Sequence, residues 1–150
     1  MYSNADVSSF IDGQFIPVRV HVRDQADEFK RLGARYSAHW TPTVLIVDEG
    51  GVERHRIEGF LPAHEFLAQL KLGLARAAFA RSDFAEAERL FRDVVNSHPD
   101  SDAAPEALYW AGVAKYKATG DAAALADTHK QFQTKYKGTS WATKASVWGS

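Results

Sequence analysis

The sequence predicts two fold classes in one chain, α/β in the first half and all-α in the second. Three observations carry this reading. Residues 15–23, "FIPVRVHVR", alternate between apolar and polar side chains. Residues 44–47, "VLIV", form an unbroken apolar run, and no strand pattern follows Pro62.

Element by element, "NADVSSFID" (4–12) predicts a short helix capped by Asn4, with Val7, Phe10 and Ile11 on one side and Gly13 as its stop. In the next segment Ile16, Val18, Val20 and Val22 share one face while Arg19, His21 and Arg23 share the other. That pattern predicts a half-buried strand, and Pro17 near its start suits an edge. "DQADEFKRLGARY" predicts a helix capped by Asp24, with acids first and Lys30, Arg31 and Arg35 late, as the helix dipole favours. Val44–Val47 is apolar on both faces and predicts the central strand of three. Asp48-Glu49-Gly50-Gly51 predicts a tight turn into a charged antiparallel edge strand, "VERHRIEG".

From Pro62 the chain predicts helices only: a continuous one from about 63 to 81, then 84–97, 103–118, 121–136 and a short one from 140. Ser82-Asp83, His98-Pro99, Gly120-Asp121 and Gly138 punctuate them. A shift of 38 residues lays "HPDSDAAPEALYW" (98–110) on "YKGTSWATKASVW" (136–148), so that Ala104 meets Ala142, Ala107 meets Ala145 and Trp110 meets Trp148. Small residues at such positions let paired helices approach, and the large ones fill the groove between pairs.

Composition excludes several functions. The chain has 150 residues, a formal net charge of −1 and no basic block, which argues against a nucleic-acid partner. No apolar run reaches the roughly 20 residues of a membrane helix, and "MYSNADVSSFIDG" lacks a signal peptide's basic start and apolar centre. A cytoplasmic location is expected. There is no cysteine, so disulfides, thiolate metal sites and thiol nucleophiles are ruled out for the chain as given. Histidines 21, 39, 55, 64, 98 and 129 are scattered, with no helical i, i+4 pair, and no catalytic motif surrounds the serines. No metal, cofactor or catalytic residue is expected.

The step "HWTPTVLIVDEGG" (39–51) resembles the proline loop of the thioredoxin superfamily. The matching positions are Thr41 and Pro42 (cis in that family), the strand Val44–Val47, the Gly51 turn and Gly59. The likeness covers residues 1–72 and is closest to the branch with a fused tetratricopeptide array. In the family the residue before the proline binds substrate through its backbone. The resemblance places that role on Thr41 of this chain, with Trp40 alongside. Trp40 itself reads better as a core aromatic.

The family also has, before the segment matching residues 1–11, a further strand and the helix bearing C-x-x-C. That strand would lie between 15–22 and 43–48, and its absence leaves a gap of roughly 10 Å between them. Direct pairing of strands 15–22 and 43–48, a strand borrowed in a homodimer, or an incomplete sheet are the alternatives. One explanation is that the sequence is the downstream part of a thiol–disulfide oxidoreductase whose C-x-x-C lies upstream of Met1.

Residues 73–150 resemble tetratricopeptide repeats, helix pairs of about 34 residues. Leu74, Ala75 and Ala78 stand at the pattern's first-helix positions. Asp83-Phe84 stand at the turn, and Ala87, Phe91 and Pro99 in and after the second helix. The second unit is degenerate, with His129 near the place of Phe91 and Lys137 at that of Pro99. Two repeats and the start of a third helix pair are expected. Tyr109, Trp110, Tyr116 and Trp148 are repeat-core aromatics or, alternatively, line a peptide groove. The resulting expectation is a redox-inactive, protein-binding module.

Overall fold

The computed structural model describes all 150 residues. In chain order it contains α1 (Ala5–Gln14), α2 (Ala26–Tyr36), β1 (Thr43–Val47), β2 (Glu53–Glu58), α3 (Ala63–Ala80), α4 (Phe84–Ser97), α5 (Ala103–Thr119), α6 (Ala123–Phe132) and α7 (Ser140–Ala145), closed by a 3₁₀ turn, Ser146–Gly149. The chain divides into two compact units, residues 1–67 and 68–150. No helix is long and apolar enough to cross a membrane.

In the first unit the Asn4 side chain caps α1, accepting from the amides of Asp6 and Val7 at 3.0 and 3.2 Å. The helix then runs through Gly13 and ends against Phe15, whose amide donates to the Ile11 carbonyl. Asp24 does not cap α2. It is drawn to His21 Nδ1 at 3.0 Å, while Gln25 stands at the N-cap and accepts from the His21 amide through its side chain.

β1 and β2 form an antiparallel hairpin, with Thr43 opposite Glu58, Leu45 opposite Arg56 and a bulge after Ile46. Asp48 makes the turn. Its Oδ1 accepts from the amides of Gly50 and Val52, both at 2.9 Å, and its Oδ2 from Arg54 Nε at 2.8 Å. These bonds stabilise the charged form and hold the Asp48 carboxyl below its ordinary range, the Val52 amide contributing most. On β2, His55 and Ile57 point inward and are buried, while Arg56 bridges Glu53 and Glu58 on the other face.

The expected three-stranded sheet is not formed: the sheet has two strands. Residues 15–20 adopt no regular structure, Ile16 and Val18 are 94% and 81% exposed, and β1 has one neighbour rather than two. The physical reason is that alternation supplies a face but not a hydrogen-bonding neighbour. A segment without an adjacent strand has nothing to satisfy its amides except water.

The second unit is built on small residues. Ala75, Ala78, Ala87, Ala103, Ala107, Ala111, Ala114 and Ala145 are fully buried, packed with Leu72, Phe91, Val94, Leu108 and Phe132. Without long side chains the helix backbones can approach closely. The tightest point is Gly112 on α5, where a Cβ would lie 2.1 Å from Thr128 Oγ1 of α6. That hydroxyl is itself buried and donates to the Ala124 carbonyl at 2.8 Å.

α6 is shorter than the expected 121–136. It ends at Phe132, after which the chain turns through Tyr136 at φ 58°. The Tyr136 hydroxyl donates to the Pro99 carbonyl at 2.7 Å, tying this turn to the end of α4. The second repeat also keeps its buried aromatic: Phe132, three residues beyond His129, is 2% exposed and packs in the same cluster as Phe91.

Candidate peptide-binding sites

In the first unit the hairpin positions the proline loop. The Thr41–Pro42 peptide bond is cis. Thr43 Oγ1 donates to the Trp40 carbonyl at 2.6 Å, closing a tight turn over 40–43. The Gly59 amide donates to the Pro42 carbonyl at 2.8 Å, extending the ladder one step past β2. Trp40 is 70% exposed, which corrects its expected place in a core, and Thr41 and Pro42 are exposed beside it. Phe60, just beyond Gly59, is also exposed. Sequence reasoning passed over it because it lies outside the proline loop.

The ladder fixes which backbone groups are free to bind. In an antiparallel pair, alternate residues aim both polar groups at the partner strand. Pro42 bonds to Gly59, so Val44 and Ile46 face β2 as Pro42 does, and Thr43 and Leu45 turn their amides and carbonyls to the open edge. Those four groups lie next to the proline loop. They can hydrogen-bond an added extended strand.

The aromatic candidates of the second unit divide. Tyr109 stacks on Trp148 at 4.6 Å and meets Trp141 at 5.3 Å, and Trp110 sets its edge on Phe79 at 5.3 Å. Tyr109, Trp110 and Trp148 pack against the helix-pair core, with the Trp110 Nε1 buried and without an acceptor. Tyr116, on the last turn of α5, is 38% exposed. Trp141 and Phe79 complete the cluster and were not singled out from the sequence. Trp141 lies 31 residues past Trp110, outside the 38-residue register that pairs the other tryptophans.

No group of three or more His, Asp or Glu side chains converges. The one carboxyl pushed upward is that of Glu106 on α5, where burial outweighs the lowering effect of Arg76, 3.3 Å away, and of Lys144.

Comparison with known proteins fits this division. Residues 1–73 match the thioredoxin-like domain family, and residues 67–101 match the tetratricopeptide repeat. The chain contains a thioredoxin-like domain followed by a tetratricopeptide repeat. No curated protein and no solved structure matches it. The thioredoxin-like domain holds a cis-proline loop and no cysteine.

Proposed function

We propose that this chain is a protein-interaction module in which a redox-inactive thioredoxin-like domain and a short tetratricopeptide array bind protein partners. The observation that carries the proposal is an exposed Trp40-Thr41-Pro42 loop beside free backbone groups on β1, in a chain with no sulfur nucleophile. An extended segment of the partner adds to Thr43 and Leu45, and Trp40 covers one of its side chains. Of the aromatics Tyr109, Trp110, Tyr116 and Trp148, Tyr116 is the one that lines the array's groove in this reading, the other three packing against the helix-pair core. Nucleic acid is not a proposed partner. The proposed compartment is the cytoplasm.

Amide NMR of the labelled chain, titrated with peptides selected on it from a random library, tests this. Selected peptides are expected to shift amides 40–45, and Trp40→Ala to weaken binding at least fivefold. Selected peptides that leave 40–45 unmoved would defeat the proline-loop assignment.

A second reading is favoured by segment 15–22, which pairs with no strand and leaves Ile16, Val18 and Val22 exposed where a sheet would cover them. In it, the chain is the downstream part of a thiol–disulfide oxidoreductase, and an upstream strand completes a three-stranded or larger sheet. An in-frame C-x-x-C about a dozen codons before Tyr2 would decide for it. The same open edge supports a homodimer through the incomplete sheet. Light scattering that reports a monomer at all concentrations would exclude that.

A further inference from the structure

Charge is unevenly distributed along the chain. The first 114 residues hold twelve basic and seventeen acidic side chains, and many of the basic ones are paired. Arg89 and Arg92 bind Glu86 and Glu88, Lys71 binds Asp93, and Arg54 and Arg56 bind carboxylates of the hairpin. Residues 115–150 reverse the balance, with six lysines, two aspartates and neither arginine nor glutamate. All six lysines are exposed, and none makes a salt bridge. Lys117 and Lys144 lie over the rings of Phe84 and Trp141 instead.

One of these lysines, Lys137, lines a cleft, and three more lie within two residues of its lining in the chain. An open cleft of about 420 Å³ is lined by His129, Phe132, Gln133, Lys137, Ala142 and Thr143. Lys130, Lys135 and Lys144 neighbour those lining residues in the chain. The cleft offers an ammonium, a side-chain amide, a hydroxyl and an imidazole above apolar Phe132 and Ala142. Its charged lining residue is cationic, and no carboxylate lines it.

We propose that this cleft docks an acidic segment of a partner protein. Carboxylates of the segment meet Lys137 and the lysines around it, and a small apolar side chain rests on Phe132 and Ala142. The inference rests on the interaction-module reading above and names the chemistry of one partner. The surrounding charge decides between acidic peptide and nucleic acid. The field of exposed lysines reaches only about 8–10 Å at physiological salt, enough for a short segment. A duplex carries a charge every ~1.7 Å along a much longer path. No arginine lines the cleft to fork onto its phosphates.

The test is fluorescence anisotropy on the full chain. The probe is a fluorescein-labelled decapeptide of aspartates and glutamates around one central leucine, N-acetylated and C-amidated. Saturable binding is expected, weakening severalfold as salt rises from about 50 to 200 mM. Lys137→Glu should weaken it about fivefold or more and Lys137→Gln by less, while Lys30→Glu, the same charge change on α2, should cost under about twofold. Circular dichroism of each variant confirms that it is folded. Three results would each overturn the proposal: no saturable binding, an equal loss with Lys30→Glu, or equally tight binding of a short DNA duplex that Lys137→Glu also abolishes. Selected peptides that still shift amides 40–45 after any of these would leave the module reading standing.

Discussion

Tyr109 on α5 and Trp148 in the closing 3₁₀ turn stack face to face, with centroids 4.6 Å apart and planes 24° from parallel. The contact joins the middle of the repeat unit to its last turn, so that the end of the chain serves as the outer wall of the helical core. Trp141 of α7 packs on the same tyrosine, with the Lys144 Nζ over the Trp141 ring at 3.9 Å from its centroid. An aromatic pair contributes about 0.5–1.5 kcal/mol beyond the area it buries. Trp148→Ala is therefore expected to cost about 2 kcal/mol, or roughly 4–8 °C in Tm. Trp148→Phe, which keeps a ring, should recover at least half. Urea melts followed by near-ultraviolet circular dichroism measure both. An unchanged midpoint for the alanine variant would mean that the final turn does not support the core.

That contact shows how far sequence patterns reach. The 38-residue shift brings Trp110 and Trp148 into register, and both end up against helix-pair cores. It points to His129 as the counterpart of Phe91, whereas the buried aromatic is Phe132. The helix stops at Phe132 and the chain bends at Tyr136, ahead of Gly138, the punctuation the sequence offers. The hairpin was legible because an apolar run, an Asp-Glu-Gly-Gly turn and a charged strand adjoin in the sequence. The strand expected at 15–22 was not formed, because pairing depends on a neighbour that periodicity does not provide. Exposure of Trp40 was missed for a related reason: an aromatic beside a strand reads as core until the layer that would cover it is known.

Gly112 sets the distance between α5 and α6. A methyl group there would fall 2.1 Å from Thr128 Oγ1 and 2.9 Å from its Cγ2, and the hydroxyl is held by the Ala124 carbonyl. Alanine is the better helix former by about 1 kcal/mol, so a gain would be expected on propensity alone. Overpacking reverses the sign, and Gly112→Ala should destabilise by about 1–3 kcal/mol. Adding Thr128→Ala removes the Oγ1 and Cγ2 and leaves only the Cβ, 2.8 Å from the added methyl. The double variant should be more stable than Gly112→Ala by at least about 1 kcal/mol, a coupling that a chemical-denaturation double-mutant cycle reads directly. Additive effects would show that the two residues do not meet.

Redox chemistry is expected to be absent from this chain. Disulfide reduction needs a thiolate to attack and a second thiol to resolve the mixed disulfide, and there is no cysteine. Insulin reduction driven by dithiothreitol should run at its background rate, whatever the protein concentration. A rate that rises with added pure chain would overturn this.

The pH dependence of the repeat unit should be set in part by Glu106. Its side chain is 17% exposed, and burial raises its pKa despite Arg76 at 3.3 Å and the more distant attraction of Lys144. Burial disfavours the ionised form because water solvates a carboxylate better than this site does. In the unfolded chain the same group titrates near its ordinary value, about 4.3. Between that value and the raised one, the folded state holds a proton that the unfolded state has released. Stability from this group is fully present below about pH 4 and is lost as pH rises through the folded pKa. Glu106→Gln removes the titration while keeping the shape of the side chain. Its stability relative to the parent should therefore climb as pH goes from about 4 to 7. Arg76→Ala removes the attraction opposing the shift, so the parent's pH slope should steepen in that background and flatten again when Glu106→Gln is added. Urea midpoints across this pH range, measured for all four proteins, give the comparison. A Glu106→Gln difference that shrinks with rising pH would show that the Arg76 ion pair, and not burial, governs the site.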